Sequence, residues 1–304
     1  MTVRLGTRGS ELALAQAAIA ADALRAAGIG PVEIVSMTTR GDRISRHNAR
    51  GGWEVTDGQF TGELERGLLR DELDIVVHSY KDLPTLGDER LCIAAVLQRA
   101  DPRDCLLTAG SAAGHGSPLD ALAFGARIAT SSPRRAAQLA STRPDLVAMP
   151  IRGNVPSRLA RLERGEFDGL MVAAAGLDRL GLRYPADARL PLDLMLPAPA
   201  QGALAIQARR ADAELRERMA SIEHGPTRLA VDAERALLRA IGGGCLAPLG
   251  ALGEVRDGIL RLRAAYEDER GAFGRVEASG PSDEVSAIVA RLARELLSTV
   301  AAIS

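Results

Sequence analysis

Short apolar runs alternate with segments of helical periodicity along most of the chain. This alternation is typical of a parallel β-sheet that is covered by helices on both faces. The first helix is predicted over Glu11 to Ala27, because Ser10 is a suitable N-cap and Gly28 a suitable residue to end it. The predicted strands are Val3 to Thr7, Val32 to Met37, Asp74 to Ser79, Arg127 to Ser131, Leu146 to Ile151, Gly169 to Ala174 and Gly202 to Gln207.

The pattern changes near residue 224. A helix is predicted over Thr227 to Ile241, and the glycines from Gly242 to Gly244 interrupt the chain after it. Short strands are predicted at Leu249 to Glu254 and at Leu260 to Glu267, before a last helix that starts near Ser282. This order indicates a small separate α+β domain.

Two proline-containing segments, Asp101 to Arg103 and Leu196 to Pro199, are predicted to carry the chain between two larger α/β units. The 304 residues are enough for two or three domains of roughly 100 to 150 residues each. The predicted fold class is therefore α/β, with a small α+β domain at the C-terminal end.

Composition is that of an ordinary globular protein, with 46% hydrophobic residues, 25% charged residues and a net charge of −1. The cysteines Cys92, Cys105 and Cys245 form an odd set without metal-ligand spacing, so we expect a reducing compartment and no metal site. The N-terminus lacks a signal-peptide pattern, and no apolar stretch reaches the ~20 residues that span a bilayer. We therefore expect a cytoplasmic protein without a membrane partner.

Nucleic-acid binding is disfavoured although the chain contains clusters of arginine. The net charge is near zero and only 3% of residues are aromatic, which leaves few side chains on which bases could stack. Neither the glycine and lysine pattern of phosphate-binding loops nor the three-glycine pattern of dinucleotide-binding folds is present. We therefore expect no nucleic-acid partner.

Arginines recur in the turns that lead from predicted strands to helices. In open α/β sheets ligands bind outside the carboxyl ends of the strands, and helix N-termini there offer unpaired N–H groups to anions. The planar guanidinium also makes bidentate hydrogen bonds to carboxylates and phosphates. This pattern predicts a cleft for a polyanion, built from Thr7 to Ser10, Thr130 to Arg135, Ile151 to Arg158 and Gly176 to Arg179.

Lys81 is the one lysine among 38 basic residues, and it follows the predicted strand that ends at Ser79. Asp82 lies beside it and is the best candidate acid or base, because cationic neighbours favour an ionised carboxylate that can stabilise a cation or transfer a proton. His78 is interpreted as a packed structural residue. The alternative for Lys81 is an ion pair without function.

Cys245 follows three glycines, which permit unusual backbone angles and leave room for close approach to a thiol. A functional Cys245 would be a nucleophile or a point of covalent attachment, and the alternative is that it is a buried apolar residue. Cys92 and Cys105 lie in apolar runs and are expected to behave as small hydrophobic residues.

Taken together, these segments resemble the porphobilinogen deaminase family, whose members are also called hydroxymethylbilane synthases. The matching motifs run in order along the chain and include Thr7 to Ser10, His78 to Pro84, Asp101 to Asp104, Thr130 to Arg135, Ile151 to Arg158, Ala174 to Leu177, Pro199 to Ala203 and Gly243 to Pro248. The tail after about residue 255 adds little to the resemblance.

The resemblance implies three domains. Two are doubly wound lobes like those of periplasmic binding proteins, and the third is a small α+β domain that bears the cysteine. On this basis we expect domain 1 over residues 1–100 plus 198–220, domain 2 over 103–195 and domain 3 over 222–304. The family also implies a monomer.

The resemblance further implies a transferase that joins four porphobilinogen molecules head to tail, with loss of ammonia, to give hydroxymethylbilane. It implies a dipyrromethane cofactor linked through a thioether to Cys245, with Asp82 as the catalytic residue. Gln16 and Gln201 are weaker candidates for binding. The residues expected to bind the carboxylates of cofactor and substrate are Arg8, Ser10, Lys81, Thr130, Ser131, Ser132, Arg134, Arg135, Arg152, Arg158 and Arg179.

One segment departs from the family pattern. Many members carry lysines in a glycine-rich loop after the second strand, whereas the segment from Gly51 to Phe60 has none and contains Glu54 and Asp57. If this loop closes over the cleft, its contacts with an anionic chain must differ and could use Arg46 or Arg50. An alternative function is a two-lobed binding protein for a carboxylate-rich small molecule, which would share the arginines but need no reactive thiol.

Overall fold

Three separate β-sheets organise the chain in the computed structural model, which describes residues 2–37, 61–108, 118–244 and 246–303. The strands in chain order are β1 Val3–Arg8, β2 Val32–Met37, β3 Ile75–Ser79, β4 Leu91–Val96, β5 Asp104–Thr108, β6 Arg127–Ala129, β7 Val147–Met149, β8 Gly169–Ala173, β9 Leu204–Arg209, β10 Leu249–Arg256, β11 Ile259–Glu267 and β12 Phe273–Pro281.

Several α-helices begin at a residue whose side chain caps them. Ser10 accepts a hydrogen bond from the amide of Ala13, and Ser132 and Asn154 cap two later helices in the same way. The helices of the described residues are α1 Glu11–Ala26, α2 Gly62–Leu69, α3 Pro133–Thr142, α4 Val155–Glu163, α5 Ala174–Arg179, α6 Ala213–Met219, α7 Gly225–Ala240 and α8 Val285–Ile303.

The first sheet has the strand order β2-β1-β3-β9-β4. Strand β1 is parallel to β2 and β3, whereas β9 is antiparallel to both β3 and β4. Helix α1 packs on this sheet through a stripe of small residues, including Ala17 and Ala20, that meets Leu5 and Ile75 in the core. Small side chains let the helix lie close to the strands, so the N-cap at Ser10 is held at the carboxyl edge of the sheet.

The second sheet has the order β5-β8-β6-β7, in which β6 is parallel to β7 and β8 and β5 is antiparallel to β8. The third sheet is an antiparallel meander of β10, β11 and β12 that packs against α7 and α8. Two mixed sheets with helices and one small antiparallel unit agree with the predicted architecture.

Both crossings lie where the sequence predicts them. Residues Asp101 to Arg103 connect β4 of the first sheet to β5 of the second, and the segment that includes Leu196 to Pro199 precedes the return to β9. At the return, Ala200 and Gly202 have φ angles of 63° and 88°. A Cβ atom on Gly202 would lie 2.6 Å from the carbonyl oxygen of Ala100, so a side chain is excluded where the two crossings meet.

Several element bounds differ from the prediction. Strand β9 begins at Leu204 rather than at Gly202, because the left-handed turn at Ala200 and Gly202 comes first. Strand β6 ends at Ala129, since Thr130 to Ser132 form the cap of α3. Strands β4, β5 and β12 are absent from the predicted set, and α8 begins at Val285 instead of near Ser282.

Glu234 on α7 joins the crossings to the third sheet. Its fully buried carboxylate accepts hydrogen bonds from the guanidinium of Arg99 at 2.5 and 3.1 Å. It also accepts from the backbone amides of Ala200 at 2.6 Å and Gly253 at 2.7 Å. One carboxylate therefore satisfies buried donors from the first unit, the return crossing and β10.

We expect Glu234→Ala to lower the free energy of unfolding by about 3–5 kcal/mol, because it leaves a buried guanidinium and two buried amides without their acceptor. Denaturant unfolding followed by circular dichroism measures the change. Glu166→Ala is the matched control: Glu166 also pairs with two arginines, Arg161 and Arg164, but on the surface, where the loss should be at most about 1 kcal/mol. Equal losses in the two variants would contradict the assignment.

Candidate active site

The carboxyl ends of parallel strands bring the predicted cationic residues to the edges of the first two sheets. Arg8 is the last residue of β1, and a 3₁₀ turn over Tyr80–Asp82 follows β3 directly. In the second sheet Arg134 and Arg135 lie in the first turn of α3, after β6. Arg152 and Arg158 follow β7, and Arg179 ends the short helix α5 after β8.

Asp104 is the buried anion of this region, and its side chain is 0% exposed. One carboxylate oxygen accepts a hydrogen bond from Arg134 at 2.7 Å, and the other accepts from the Nε and a terminal nitrogen of Arg135 at 3.1 and 2.6 Å. Although burial opposes ionisation, the two guanidinium groups lower the pKa of Asp104 well below its usual range. Asp104 thus neutralises one of the two adjacent positive charges.

Gln201 connects this buried cluster to Lys81. Its side-chain nitrogen donates to Asp104 at 2.9 Å and to the carbonyl of Pro102 at 2.7 Å. Its side-chain oxygen accepts a hydrogen bond from the Lys81 ammonium at 3.1 Å. A single amide therefore links a cation after β3 of the first sheet to the anion at the start of β5 of the second.

Lys81 is held in a partly buried, cationic environment. Burial lowers the pKa of Lys81 to about 8, and repulsion from Arg135 adds to this effect while attraction to Asp82 opposes it. The ammonium form is therefore costly in the free protein, and an anion placed beside it would stabilise the charge.

Arg158 and Arg179 are two further buried cations with lowered pKa values. Burial, with repulsion from Arg135 and Arg161, lowers the pKa of Arg158 to about 10. Burial also lowers the pKa of Arg179 to about 10 against the opposing effect of Asp178. Arg158 donates to the carbonyl of Gly153, and no carboxylate of the described residues lies within ion-pairing distance of it. These groups are suited to an anionic ligand.

The predicted hydroxyl residues shape the loop between β6 and α3. Ser131 exchanges two hydrogen bonds with the backbone of Ile151, at 2.6 and 2.8 Å, and so ties this loop to the residue that precedes Arg152. Thr130 accepts from the amide of Ser132, and Ser132 accepts from that of Arg135. All three hydroxyls therefore have backbone partners, and their role in carboxylate binding stays a prediction.

Polar residues around β3 are paired within the protein. His78 is buried beside Gln207, 2.9 Å away, and burial lowers the pKa of His78 to about 4, with a further contribution from Arg8. The ring is therefore neutral near pH 7, which fits the structural interpretation of His78. Gln16 on α1 is hydrogen bonded to Ser79 at 2.9 Å and so ties the helix to the end of β3.

Asp82, the predicted catalytic residue, is exposed at the end of the 3₁₀ turn. Cys245 lies outside the described residues, as do the segment Gly51 to Phe60 and the arginines Arg46 and Arg50. The structure thus brings Lys81, Arg134 and Arg135 into one hydrogen-bonded network. Arg158 is close enough to Arg135 for electrostatic repulsion between them to lower its pKa.

Three residues that complete this arrangement are missing from the predicted set: Asp104, Glu234 and Arg235. Asp104 is part of the Asp101 to Asp104 motif, so its position in the sequence was a usable signal, but its burial was not visible there. Glu234 and Arg235 carry no local signal, because they resemble other charged residues on an amphipathic helix.

Comparison with protein-family models identifies the family of the chain. Residues 3–217 match the model described as porphobilinogen deaminase, dipyromethane cofactor binding domain, and residues 228–298 match the C-terminal domain of porphobilinogen deaminase. The chain belongs to the porphobilinogen deaminase family. Every cation of the network described above falls within the first matched domain, and the match confirms both the resemblance and the dipyrromethane cofactor expected from it.

Similar curated proteins, all named porphobilinogen deaminase, match nearly the whole chain. The protein of Acidothermus cellulolyticus is 49% identical over 97% of this chain and 88% of its own length. Those of Desulforudis audaxviator and Thermus thermophilus are 47% and 44% identical, over 97% of this chain and 94% and 95% of theirs. Similarity at this level and coverage extends through all three sheets.

Solved structures of periplasmic binding proteins are similar to the chain at low sequence identity. The sulfonate-binding protein SsuA of Escherichia coli is 14% identical with a TM-score of 0.40, and covers 79% of this chain and 70% of its own. The corresponding protein of Methylobacillus flagellatus is 13% identical with a TM-score of 0.39, over 79% of this chain and 69% of its own. With family membership, the predicted fold class of two binding-protein-like lobes and a small C-terminal unit is confirmed.

The residues present fit a dipyrromethane. Its two pyrrole rings carry acetate and propionate groups, and the site offers three cations whose pKa values are lowered chiefly by burial, at Lys81, Arg158 and Arg179. Among the described residues no group of three or more His, Cys, Asp and Glu side chains could hold a metal ion. No helix within the described ranges has the length and apolar character needed to cross a membrane.

Because Lys81 is the one lysine of the chain, its titration can be observed directly. Cofactor-free protein labelled with lysine that carries ¹³C at the ε-carbon should give one lysine side-chain resonance, with a midpoint near pH 8 when folded and near the ordinary 10.5 in urea. Asp82→Asn should lower the folded midpoint further, because it removes a negative charge that favours the ammonium. A folded midpoint at or above pH 10 would contradict the described environment.

Proposed function

We propose that this chain is the enzyme porphobilinogen deaminase, which joins four porphobilinogen molecules head to tail with release of ammonia and forms hydroxymethylbilane. The observation that carries the proposal is the network of Lys81, Gln201, Asp104 and Arg135, which lies within a matched cofactor-binding domain. A growing chain brings two more carboxylates with each ring, and a cluster of poorly neutralised cations suits such a ligand.

When bound, the dipyrromethane supplies the pyrrole ring to which substrate rings are added, and it stays on the enzyme when product leaves. Cys245 is the proposed point of thioether attachment, as the family pattern implies. The residues proposed to hold the carboxylates of cofactor and substrate are Arg8, Ser10, Lys81, Thr130, Ser131, Ser132, Arg134, Arg135, Arg152, Arg158 and Arg179.

The environments of these residues support a structural role for one of them and ligand-binding roles for others. Arg134 has a side chain that is 4% exposed and donates to Asp104 and to the carbonyl of Leu196, so we assign it the role of holding Asp104 and Arg135 in place. Lys81 and Arg158 are assigned direct contacts with ligand carboxylates, because each is destabilised by nearby positive charge that a carboxylate would offset. Arg135 contributes its charge to both.

Asp82 is proposed to carry the acid–base chemistry. Loss of ammonia from porphobilinogen leaves a cation, and the ring that attacks it must afterwards lose a proton from its α-carbon. An exposed carboxylate beside Lys81, at the mouth of a cationic cluster, can stabilise that cation and accept that proton. Lys81 is not assigned a proton transfer of its own.

The family assignment leads us to propose the finer properties as well. We propose a cytoplasmic monomer, and three domains with the bounds 1–100 plus 198–220, 103–195 and 222–304. Support for the domain division comes from the three sheets, each of which has its own apolar core, with the crossings at Asp101 to Arg103 and Leu196 to Pro199 between the first two.

Intact-mass measurement of the purified protein tests the assignment most directly. We expect a mass above that of the polypeptide by one dipyrromethane, and Cys245→Ala should show the bare polypeptide mass. A protein that carries no adduct, and gains none on incubation with porphobilinogen, would exclude the function. The alternative of a two-lobed binding protein predicts the bare mass for both proteins and unchanged ligand affinity in Cys245→Ala.

We expect Asp82→Asn to retain its fold and its adduct while kcat for hydroxymethylbilane falls roughly 10²- to 10⁴-fold, the range for loss of a general acid or base. The control is Asp88→Asn, a second aspartate in the same segment, which pairs with Arg90 at the surface and should leave kcat near the wild-type value. Ammonia release and product formation should be measured together. Near-normal turnover by Asp82→Asn would remove this residue from the mechanism.

A further inference from the structure

The turn that carries Asp82 has little structure of its own. It is a 3₁₀ turn of 3 residues, and its internal hydrogen bond, from the amide of Leu83 to the carbonyl of Tyr80, is 3.3 Å long. The first residue of the turn is tied to the sheet through the Tyr80 amide and the Ala203 carbonyl at 3.0 Å. A short turn with one long hydrogen bond does not by itself hold a catalytic carboxylate to within a fraction of an ångström.

One arginine from a different unit holds this turn. The buried guanidinium of Arg235 donates to the carbonyl oxygens of Tyr80 at 3.2 Å and Leu83 at 3.0 Å through one terminal nitrogen. It donates to the carbonyl of Pro84 at 2.7 Å through the other. These three carbonyls lie on both sides of Asp82 in the sequence, so the hydrogen bonds fix the backbone before and after it.

Further contacts fix the guanidinium itself. Its central carbon lies 4.5 Å from the centroid of the Tyr80 ring, a cation–π distance. The hydroxyl of Tyr80 donates to Asp232 at 3.0 Å, and Asp232 lies on the same helix, α7, as Arg235. That helix packs on the third sheet, so the C-terminal unit helps to set the position of the Asp82 turn in addition to the sheet from which the turn emerges.

We infer that Arg235 is a positioning residue for Asp82: it touches no substrate and acts by holding the backbone of residues 80–84 so that the carboxylate meets the reacting ring. The inference rests on the proposed function, because it takes Asp82 as the acid–base group. Misplacement of a catalytic group by about 1 Å can cost on the order of 10² in rate. Loss of Arg235 should therefore lower kcat much more than it raises KM.

The test compares Arg235→Lys and Arg235→Gln with wild type. Lysine keeps the charge, but a single ammonium cannot reproduce a planar fork that reaches three carbonyls, so we expect both variants to lose roughly 10- to 100-fold in kcat with KM within about threefold. Arg209→Gln is the matched control, since Arg209 also donates to two backbone carbonyls of the first unit, that of Leu68 in α2 and that of Leu73, away from the site. The control should lose stability but keep kcat.

A double-mutant cycle separates positioning from general destabilisation. If Arg235 acts through Asp82, Arg235→Gln should have little further effect on kcat in the Asp82→Asn background, whereas independent effects would multiply. Multiplying losses, or a full restoration of kcat in Arg235→Lys, would overturn the inference. Should Arg235→Gln fail to fold, Tyr80→Phe, which removes the hydroxyl that contacts Asp232, should show the same pattern with a smaller loss.

Hydrogen exchange gives a readout that does not depend on activity. In Arg235→Lys, the peptide covering residues 80–84 should exchange faster than in wild type, while peptides from β1 and α1 should be unchanged. Unchanged exchange at 80–84 would overturn the inference even if turnover fell. A wild-type protein without adduct or turnover would instead refute the proposed function, and the exchange result would still show whether Arg235 holds the turn.

Discussion

The ionisation of Asp104 is the constraint on which the anion site depends. Two arginines in the first turn of α3 can both be buried because this carboxylate lies between them, and in its absence the two adjacent charges would repel each other in a medium of low dielectric. The pair still leaves one positive charge in excess. Gln201 extends the network to Lys81, so the buried Asp104 cluster and the lysine after β3 share one hydrogen-bonded chain.

Excess positive charge in the site lowers the stability of the free protein relative to a site without net charge. An anionic ligand would offset this unfavourable free energy when it binds. Burial lowers the pKa values of Lys81 and Arg158, and repulsion from Arg135 lowers both further. A ligand that brings carboxylates relieves the repulsion as it binds. Under the proposed function, part of the affinity for a carboxylate-rich chain would come from relief of this electrostatic cost, in line with electrostatic preorganisation.

Much of the site followed from sequence because strand ends are predictable. The turns after β1, β3, β6 and β7 were located by their position, and their arginines lie where that position requires. The sequence did not show which of these arginines would be paired with a carboxylate. Arg134 is paired and buried, whereas Arg158 lacks a carboxylate partner among the described residues. Burial and counter-ions depend on residues distant in the chain, such as Asp104. Strand β12 escaped prediction because Gly274, Gly280 and Pro281 disguise its alternation.

The bond between Gln201 and Asp104 has a mechanical meaning as well as an electrostatic one. Asp104 begins the strand after one crossing, and Gln201 lies in the turn at the end of the other. Any rotation of one α/β unit relative to the other would have to occur about these two segments, because they connect the two units. Displacements are smallest near the axis of a rotation, so Lys81, Arg134 and Arg135, which are hydrogen bonded to these two residues, would move least in such a rotation.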